Sequence, residues 1–372
     1  MLTTVAVRGY RSLREVVLPF GPLTVITGAN GTGKSSVYRA LRLLADCGRG
    51  EVIASLAAEG GLQSARWAGP DTANRPVELE LGYAADDVGY LVDLGLPVPS
   101  SSMFDRDPHL KREAVFAGPS LRPASTLVQR DGPTAYRCGD AGGRQELTRS
   151  LPSYRSVLTE FADPAQLPEL AAVRDRLRGW RFYDGFRADA AAPARRPQVG
   201  TRAPRLADDG SNLAAAIQTI IEAGSGAGAE ELGRAVAGAF DGASLSVLST
   251  GGLFELQMHQ PGMRRPLRIT ELSDGTLRFL LWAAALLAPD PPSLMVLNEP
   301  ENSLHPDLIE PLAGLIRGAA ARTQVVVVSH SAALTEHLGP ERALIELTKR
   351  DGATVVAGQG LLDAPAWHWG SR

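Results

Sequence analysis

Apolar and polar residues follow a strand-type pattern at the start of the chain. The segments TTVAVRGY and LTVITG (23–28) are rich in β-branched residues, which suit a pleated, half-buried surface. A glycine-rich stretch follows, and beyond it Val37, Leu41 and Leu44 recur on one face of a helix. The pattern therefore predicts strands, then a glycine loop, then an amphipathic helix.

The middle of the chain has a less regular pattern. Residues 77–96 alternate as strands do, whereas residues 97–150 are rich in Pro, Gly and Ser, which predicts an irregular β insertion. A helix is predicted near 165–179, followed by a strand, RFYDGF. Residues 193–207 are rich in Pro and Arg, which is typical of a loop.

The rest of the chain alternates between helix-type and strand-type patterns. In chain order, the predicted elements are helices at 211–223 and 229–240, strands ASLSVLS and LFELQMH, a helix at 275–287, a strand at 293–297, a helix at 306–320, a strand at 324–328, a helix at 331–338 and a strand pair in ALIELTKRDGATVVAG. Strands that alternate with helices favour a mainly parallel sheet with crossover helices. The predicted fold class is α/β.

Composition is that of an ordinary globular protein of 372 residues, with 44% hydrophobic and 21% charged residues. The formal net charge is -3, so contact with a polyanion requires a local basic patch. Only Cys47 and Cys138 occur, which suits a reducing compartment. The apolar run FLLWAAALLA is shorter than the roughly 20 residues that span a bilayer, and MLTTVAVRGYRSL lacks the layout of a signal peptide. We expect a cytoplasmic location and no membrane partner.

The segment GANGTGKS, from Gly28 to Ser35, matches the phosphate-binding pattern G-x-x-x-x-G-K-[ST]. Glycines let backbone N–H groups turn inward around a phosphate, and the N-terminus of the next helix adds positive potential. In such a loop Lys34 reaches the β- and γ-phosphates, and the Ser35 hydroxyl binds Mg²⁺. The alternative, a turn that only caps a helix, is disfavoured by the strand before the loop and the amphipathic helix after it.

The segment LSDGT (272–276) directly precedes the apolar helix LRFLLWAAALLA. Ser273 suits the N-cap position of that helix. The same residues also suit a second anion site, in which Ser273, the Gly275 amide and the helix dipole hold a phosphate. The segment alone leaves the two interpretations even, and its place shortly before the strand LMVLNEPE favours the anion site.

Two apolar runs end in polar residues that suit phosphate chemistry. The strand in LMVLNEPE is followed by Glu299 and Glu301, where phosphate-loop enzymes manage Mg²⁺ and the attacking water. The run VVVVSHS ends at His330, and ligands of parallel sheets bind at the carboxyl ends of strands. A lone histidine is more often structural, but this position favours contact with a γ-phosphate.

In this order, the segments resemble the ATP-binding-cassette (ABC) ATPase head of the RecF, SMC and OLD-nuclease group. They are most similar to its stand-alone bacterial ATPases of the AAA family (RecF-like). The likeness covers both ends of the chain well and residues 84–180 poorly. It implies a P-loop NTPase of ABC-ATPase type, with a mixed central sheet, flanking helices, a β-rich insertion and a helical signature lobe.

The resemblance also implies roles for individual residues. Ser273 and Gly275 would contact the γ-phosphate held by a partner subunit, Glu299 would polarise the attacking water, and His330 would sense the γ-phosphate. The loop that holds phosphate and Mg²⁺ would comprise Gly28, Ala29, Asn30, Gly31, Thr32, Gly33, Lys34, Ser35 and Ser36.

Three further assignments rest on the resemblance. Arg11 aligns with a basic residue that contacts nucleotide in relatives. Ser35 and Asn298 would be metal ligands, together with the glutamine that links the two lobes. Gln198 is the first choice for that glutamine, and Gln63 is the alternative.

Asn298 departs from the family's pattern, which has an acidic residue at this position. Asparagine keeps a carbonyl acceptor but loses the charge, and a charge-assisted hydrogen bond is about twice as strong as a neutral one. We therefore predict weakened Mg²⁺ binding and, because Glu299 is present, a slow ATPase.

Two further departures concern whole segments. The family's long coiled coil is missing from the sequence, and no nuclease domain of the OLD type follows residue 340. We therefore expect neither DNA tethering over a distance nor autonomous DNA cleavage.

The arginine-rich segment, residues 181–205, combines basic and aromatic residues. Its arginines are Arg181, Arg187, Arg195, Arg196, Arg202 and Arg205. A solvated basic loop is the first interpretation, and contact with nucleotide or with DNA or RNA is the alternative.

We predict a single ATPase head over residues 1–372. Its parts are an N-terminal half with the phosphate loop (1–83), an irregular β/α insertion (84–180), a basic loop and helical lobe with the signature (181–290) and a C-terminal half with the acid-ended strand and strand-end histidine (291–372). Two copies would close head to tail over two Mg·ATP and act on DNA or a DNA-processing partner, in repair or in defence against foreign DNA. The alternatives are a non-hydrolysing ATP-dependent scaffold or switch for a protein partner, and the nucleotide-binding subunit of a transporter.

Overall fold

A computed structural model of the chain describes residues 1–70, 78–97, 101, 103–104, 106–139, 143–223, 226–360 and 363–370. The chain forms two compact units. Unit 1 comprises Met1–Trp180 and Ala343–Arg372, and unit 2 comprises Arg181–Arg342.

Strands and helices are numbered in chain order over the described residues. The strands are β1 (Leu2–Tyr10), β2 (Leu13–Pro19), β3 (Leu23–Gly28), β4 (Leu79–Ala85), β5 (Val88–Gly95), β6 (His109–Ala117), β7 (Thr126–Asp131), β8 (Thr134–Cys138), β9 (Arg144–Thr148), β10 (Arg181–Asp184), β11 (Gln198–Val199), β12 (Ser244–Thr250), β13 (Leu253–His259), β14 (Leu267–Arg268), β15 (Leu294–Asn298), β16 (Gln324–Val328), β17 (Ala343–Arg350) and β18 (Ala353–Val356). The α-helices are α1 (Lys34–Arg49), α2 (Val52–Ala58), α3 (Leu62–Ala65), α4 (Val157–Glu160), α5 (Pro168–Gly179), α6 (Leu213–Ile221), α7 (Ala227–Ala239), α8 (Asp274–Leu286), α9 (Ile309–Ala320) and α10 (Ala332–His337). Short 3-10 helices cover Pro123–Ser125, Pro193–Arg195, Ile269–Glu271 and Pro306–Leu308.

Unit 1 contains an antiparallel sheet with the strand order β2-β1-β4-β5-β6-β7-β8-β9. β1 lies beside β4, with Val5 opposite Tyr83, so the predicted boundary after residue 83 falls inside a strand. Successive strands from β4 to β9 pair with one another. The predicted insertion is therefore more regular than its sequence indicates, because pairing with neighbouring strands outweighs a weak intrinsic preference for strand.

A buried ion pair joins two strands of this sheet. Arg130 on β7 and Glu113 on β6 are both fully buried, and Arg130 Nη1 donates to Glu113 Oε2 at 3.0 Å. The Tyr90 hydroxyl donates to the same carboxylate at 2.7 Å. The Arg130 guanidinium also donates to the carbonyl oxygens of Gly132 and Pro152, which compensates for the loss of its hydration on folding.

The second group of strands in unit 1 leads into the phosphate loop. β3 is parallel to β17, with Ile26 opposite Ile345, and β17 is antiparallel to β18. After β3 the chain turns through the loop into α1, which packs against α5. The predicted order of strand, glycine loop and helix is confirmed.

Unit 2 contains three neighbouring parallel strands in the order β10-β15-β16. Asn298, at the end of β15, lies opposite Asp184 on β10 and Val328 on β16. The crossover helix predicted between β15 and β16 is α9. A smaller antiparallel sheet has the order β11-β13-β12, with β14 beside β13.

The longest apolar run of the sequence lies in α8, where Phe279, Leu280 and Leu281 are fully buried. The run therefore forms part of the core of unit 2. None of the helices in the described part of the chain is both long and apolar enough to cross a membrane.

Candidate functional site

The phosphate loop has a backbone shape that requires glycine at two positions. Gly28 has φ 142° and Gly33 has φ 112°, values that side-chain-bearing residues rarely adopt. A Cβ atom on Gly33 would lie 2.2 Å from Thr354 Oγ1, and one on Gly28 would lie 2.4 Å from the carbonyl oxygen of Leu347. Neighbouring strands therefore close off the space that a side chain would need.

Lys34 is folded back over this loop. Its ammonium Nζ donates to the carbonyl oxygens of Gly28 at 2.6 Å and Ala29 at 3.2 Å. The side chain of Thr32 also donates to Ala29 O, at 2.8 Å, and Thr354 Oγ1 donates to Thr32 O at 2.7 Å. The loop is thus held from both sides, and the lysine charge lies against neutral acceptors that an anion would outcompete.

The beginning of α1 has the properties of an anion site. Gly33 occupies its N-cap position without a side-chain cap, so the first backbone N–H groups of this 16-residue helix lack that partner. Ser35 is exposed in the first turn, and Ser36 is buried. Ala29, Asn30 and Gly31, at the tip of the loop, are also exposed.

Arg11 is held by a contact within unit 1. Its Nη2 lies 2.7 Å from Glu59 Oε2, and the Tyr10 hydroxyl donates to the same carboxylate at 2.7 Å. Burial, together with the hydrogen bond to Glu59, raises the pKa of Tyr10 well above its usual range, so this hydroxyl stays a donor. The predicted nucleotide contact of Arg11 requires exchange of the carboxylate for a phosphate.

The ends of β15 and β16 place Glu299 beside His330. Glu299 has φ 47°, a left-handed conformation that costs about 1–2 kcal/mol, and its N–H donates to Val328 O at 2.7 Å. One carboxylate oxygen lies 3.4 Å from His330 Nδ1, and the other accepts from Asn302 Nδ2 at 2.6 Å. Because parallel strands end at one edge, these two predicted residues meet.

Glu301 has a different role from Glu299, and its sequence pattern does not reveal that role. It is 8% exposed, and its Oε1 accepts hydrogen bonds from the Ser329 hydroxyl and from the amides of His330 and Ser331. Glu301 thereby fixes the turn that carries His330. The one sequence feature that marks Glu301 for a role is its place as the second acid of NEPE.

Asn298 faces a carboxylate, Asp184, that is far from it in the sequence. Its Nδ2 donates to Asp184 Oδ1 at 2.7 Å, across the two strand ends. Its Oδ1 is buried and has no hydrogen-bond partner among the described residues. The acid at the end of RFYD was a sequence signal for this pairing.

In the signature segment, residues 272–276, Ser273 is the N-cap of α8. Its Oγ accepts from the Thr276 amide at 3.1 Å, and Gly275 lies in the first helical turn. Ser273 is exposed. The capping interpretation therefore holds in this structure, and the phosphate contact of Ser273 stays a prediction.

A comparison with models of known protein families shows which family this chain belongs to. The family model described as "AAA domain, putative AbiEii toxin, Type IV TA system" matches residues 23–336. The chain belongs to this family. The match includes the phosphate loop, the signature segment and both strand ends described above, and it confirms the predicted relationship to AAA-family ATPases.

Other known proteins resemble this AAA-domain chain in part of its sequence or in fold. The OLD nuclease of Thermus scotoductus is 46% identical over 44 residues, which are 12% of this chain and 8% of that protein. A crystal structure of the Smc head bound to the C-winged helix domain of ScpA covers 97% of this chain and 98% of its own, with 15% identity and a TM-score of 0.52. The Smc head with an extended coiled coil, bound to the C-terminal domain of ScpA from Pyrococcus furiosus, covers 98% and 97%, with 16% identity and a TM-score of 0.51. These structures confirm the α/β fold of the ABC-ATPase type.

In this AAA-domain protein Gln198 makes a structural contact. It is 9% exposed on β11, and its Oε1 accepts from the Ala214 amide at the start of α6 at 2.9 Å. The oxygen that a metal would need is therefore already engaged inside unit 2. The alternative, Gln63, is exposed on α3 in unit 1. The metal contact of Gln198 stays a prediction.

Arg195 holds the signature segment in place. Its Nη1 donates to the carbonyl oxygens of Ile269 at 2.8 Å and Leu272 at 3.0 Å, and its Nη2 donates to Asp274 at 2.9 Å. Nε donates to Ala188 O at 2.9 Å, and the side chain is 7% exposed. Arg195 is therefore unable to contact nucleic acid in this structure, contrary to one interpretation of the arginine-rich segment.

The other arginines of that segment differ in their surroundings. Arg187 pairs with Asp189 at 2.8 Å, and Arg205 pairs with Asp290 at 2.9 Å. Arg202 is 84% exposed, and the nearest carboxylate oxygen in an ion pair with it, from Glu222, is 3.9 Å away. Arg196 is also exposed. Arg196 and Arg202 are both exposed, and we keep them as candidates for contact with a polyanion.

The neighbours Arg195 and Arg196 allow a matched test of this difference. Arg195→Ala is expected to lower the free energy of unfolding by about 3 kcal/mol, because two buried carbonyl groups lose a charged donor. Arg196→Ala, at an exposed position, is expected to change it by less than about 0.5 kcal/mol. Urea denaturation measures both, and equal effects would contradict the anchoring role of Arg195.

Proposed function

We propose that this protein binds Mg·ATP and hydrolyses ATP slowly. The observation that carries the proposal is the phosphate loop, in which glycine-only backbone turns, an uncapped helix N-terminus and a buried lysine come together. These are the features that a loop needs to surround a phosphate chain with donors. Membership of the AAA-domain family supports the same conclusion.

The residues present fit a nucleotide with its metal. Lys34 would exchange two carbonyl partners for the β- and γ-phosphates, and Ser35 is exposed in the first turn of α1. Asn298 has a buried carbonyl oxygen without a hydrogen-bond partner among the described residues. We propose Ser35 and Asn298 as the residues that hold Mg²⁺. When bound, the ion would neutralise charge on the phosphates and orient the terminal one.

Glu299 is the proposed residue that polarises the attacking water. Its carboxylate is oriented by Asn302 on one oxygen and lies near His330 at the other, so it is held by neighbours at the strand ends. Glu301 would act indirectly, because it fixes the backbone of the turn that carries His330. That turn would place His330 for contact with the γ-phosphate. Ser273 and Gly275 would complete the site of a second copy.

Slow hydrolysis is proposed because of Asn298. A neutral amide holds the water shell of a metal less firmly than a carboxylate does, since charge-assisted hydrogen bonds are about twice as strong as neutral ones. The same residue favours the second candidate function, a non-hydrolysing ATP-dependent scaffold. The presence of Glu299 beside His330 supports hydrolysis.

We further propose that two copies close head to tail over ATP and act on DNA or on a protein that processes DNA. Two likenesses support the proposal. Part of the sequence is similar to an OLD nuclease, and the fold is similar to that of an Smc head whose structure includes a bound ScpA domain. The exposed Ser273 suits contact with a second subunit. Arg196 and Arg202 are the proposed points of contact with DNA or RNA.

Steady-state phosphate release tests this function. The wild-type protein is expected to release phosphate from ATP in a Mg²⁺-dependent reaction, and to do so faster when its nucleic acid is present. Phosphate release is measured with duplex DNA, single-stranded DNA and RNA of equal length, over a range of salt concentrations. The comparison identifies which form of nucleic acid stimulates the reaction. ATP binding without any turnover under all these conditions would favour the scaffold, and absence of ATP binding by calorimetry would overturn the proposal.

A further inference from the structure

We infer that Asp184 and Asn298 act as one unit, in which Asp184 supplies the negative charge that Asn298 lacks. The inference rests on the proposed function, because it concerns the Mg²⁺ that would accompany ATP. Asp184 would be a positioning residue, which acts through the Asn298 amide. The metal-side carboxylate of this chain would then lie at the end of β10 rather than at the end of β15.

The register of the strands brings the two side chains together. β10 and β15 are parallel, and Asp184 lies directly opposite Asn298 at the last position of each strand. The Asn298 Nδ2 atom donates to Asp184 Oδ1 at 2.7 Å, the length of a charge-assisted hydrogen bond. The negative charge is thus one hydrogen bond away from the position where an acid is usual.

The chemistry of the pair decides which way the amide points. An ionised carboxylate only accepts hydrogen bonds, so the NH₂ end of Asn298 must face Asp184. The carbonyl oxygen is then the end that remains, and it is buried with no hydrogen-bond partner among the described residues. A buried acceptor left without a donor is costly, which points to a donor or a cation outside the protein.

Asp184 is placed by packing that does not depend on the metal. The neighbouring Tyr183 is buried, and its ring centroid lies 5.6 Å from that of Phe186 and 6.4 Å from that of Trp282 on α8. Asp184 itself is exposed, so its carboxylate can stay ionised beside the Asn298 amide. Glu299, the other acid nearby in sequence, is oriented by Asn302 and His330 instead.

The pair also explains why asparagine is acceptable at position 298. An aspartate there would place two carboxylates at the distance now spanned by the 2.7 Å hydrogen bond, and their repulsion would oppose folding without a cation. One acid and one amide avoid that repulsion and keep a single negative charge within the pair. A rival explanation is that the pair only joins the strands.

Three variants separate these explanations by the number of carboxylates they leave. At positions 184 and 298, Asp184→Asn leaves no carboxylate and Asn298→Asp leaves two. The double exchange, Asp184→Asn with Asn298→Asp, leaves one, as in the wild type. The measurement is the Mg²⁺ concentration that gives half-maximal binding of a fluorescent ATP analogue, which requires no turnover. Asp189→Asn, at an exposed aspartate of the same segment, is the control.

The order of the midpoints is the expected result. Asp184→Asn should raise the Mg²⁺ midpoint about tenfold, as loss of an outer-shell partner does in metal sites. The exchanged pair should return it close to the wild-type value, and Asn298→Asp should lower it. Thermal unfolding without Mg²⁺ should show Asn298→Asp destabilised, with recovery when Mg²⁺ is added.

Two outcomes would overturn the inference, and they differ from failure of the proposed function. If the wild type binds the analogue with Mg²⁺ but all variants share its midpoint, the pair only joins strands, even if melting temperatures change. An exchanged pair that behaves like Asp184→Asn would also overturn it. If the wild type itself binds no nucleotide, the proposed function fails and this inference fails with it.

Discussion

Lys34→Ala is expected to weaken ATP binding by at least about 100-fold, which corresponds to about 2.7 kcal/mol. Lys34 supplies the one cationic side chain within residues 28–36, and in this structure its ammonium is buried against the loop carbonyls. The truncated side chain would leave the phosphates without that charge, and would leave Gly28 and Ala29 without its hydrogen bonds. Isothermal calorimetry with Mg·ATP measures the loss.

The chain offers a matched control for this variant. Its lysines are Lys34, Lys111 and Lys349, and Lys349 is exposed near the end of β17. Lys349→Ala is expected to bind ATP as the wild type does. Unchanged affinity in Lys34→Ala, with an unchanged melting temperature, would exclude the phosphate-loop assignment.

Glu299→Gln is expected to keep ATP bound while turnover falls by about 100-fold or more, the range typical for loss of a general base. Glutamine has the same shape and can still accept a hydrogen bond from Asn302, so the turn after β15 should persist. It lacks the charge that polarises water. Single-turnover phosphate release and ATP binding are measured separately, with Glu310→Gln on the exposed face of α9 as the control.

The same variant tests the proposed dimer. With hydrolysis stalled, Glu299→Gln should accumulate a closed dimer with ATP, which light scattering detects as a doubled mass. Adding Ser273→Arg should return the protein to monomers, because a bulky cation would replace a small exposed hydroxyl at the N-terminus of α8. A monomer at high protein and ATP concentration, in both variants, would contradict the proposed composite site.

Local sequence was enough to predict the phosphate loop because the residues that form it follow one another in the chain. The glycines, Lys34 and the first turn of α1 follow one another, and the strand and helix around them have strong patterns of their own. The meeting of Glu299 and His330 was also predictable, since parallel strands place their carboxyl ends at a common edge. Neither feature depends on a strand register that the sequence leaves open.

Other parts of the site depend on contacts that no local pattern encodes. Arg195 and Arg196 are adjacent in sequence, yet one is buried with four backbone carbonyls and a carboxylate as acceptors and the other is exposed. Gln198 suits a metal ligand by its place in the chain, but packing against α6 engages its oxygen. The regular strands from β6 to β9 arise from pairing with neighbours rather than from their Pro-, Gly- and Ser-rich sequence.

By itself, the sequence determined the α/β class, the strand, loop and helix that would hold phosphate, and the polar ends of the later strands. These follow from periodicity and from residues close in the chain, where local sterics and hydrogen bonding decide the conformation. Only the tertiary structure decided that Asp184 faces Asn298, 114 positions away, and that Glu301 is buried beneath the turn of His330. Such pairs depend on strand register and on the free energy of burying charge, which are properties of the assembled fold.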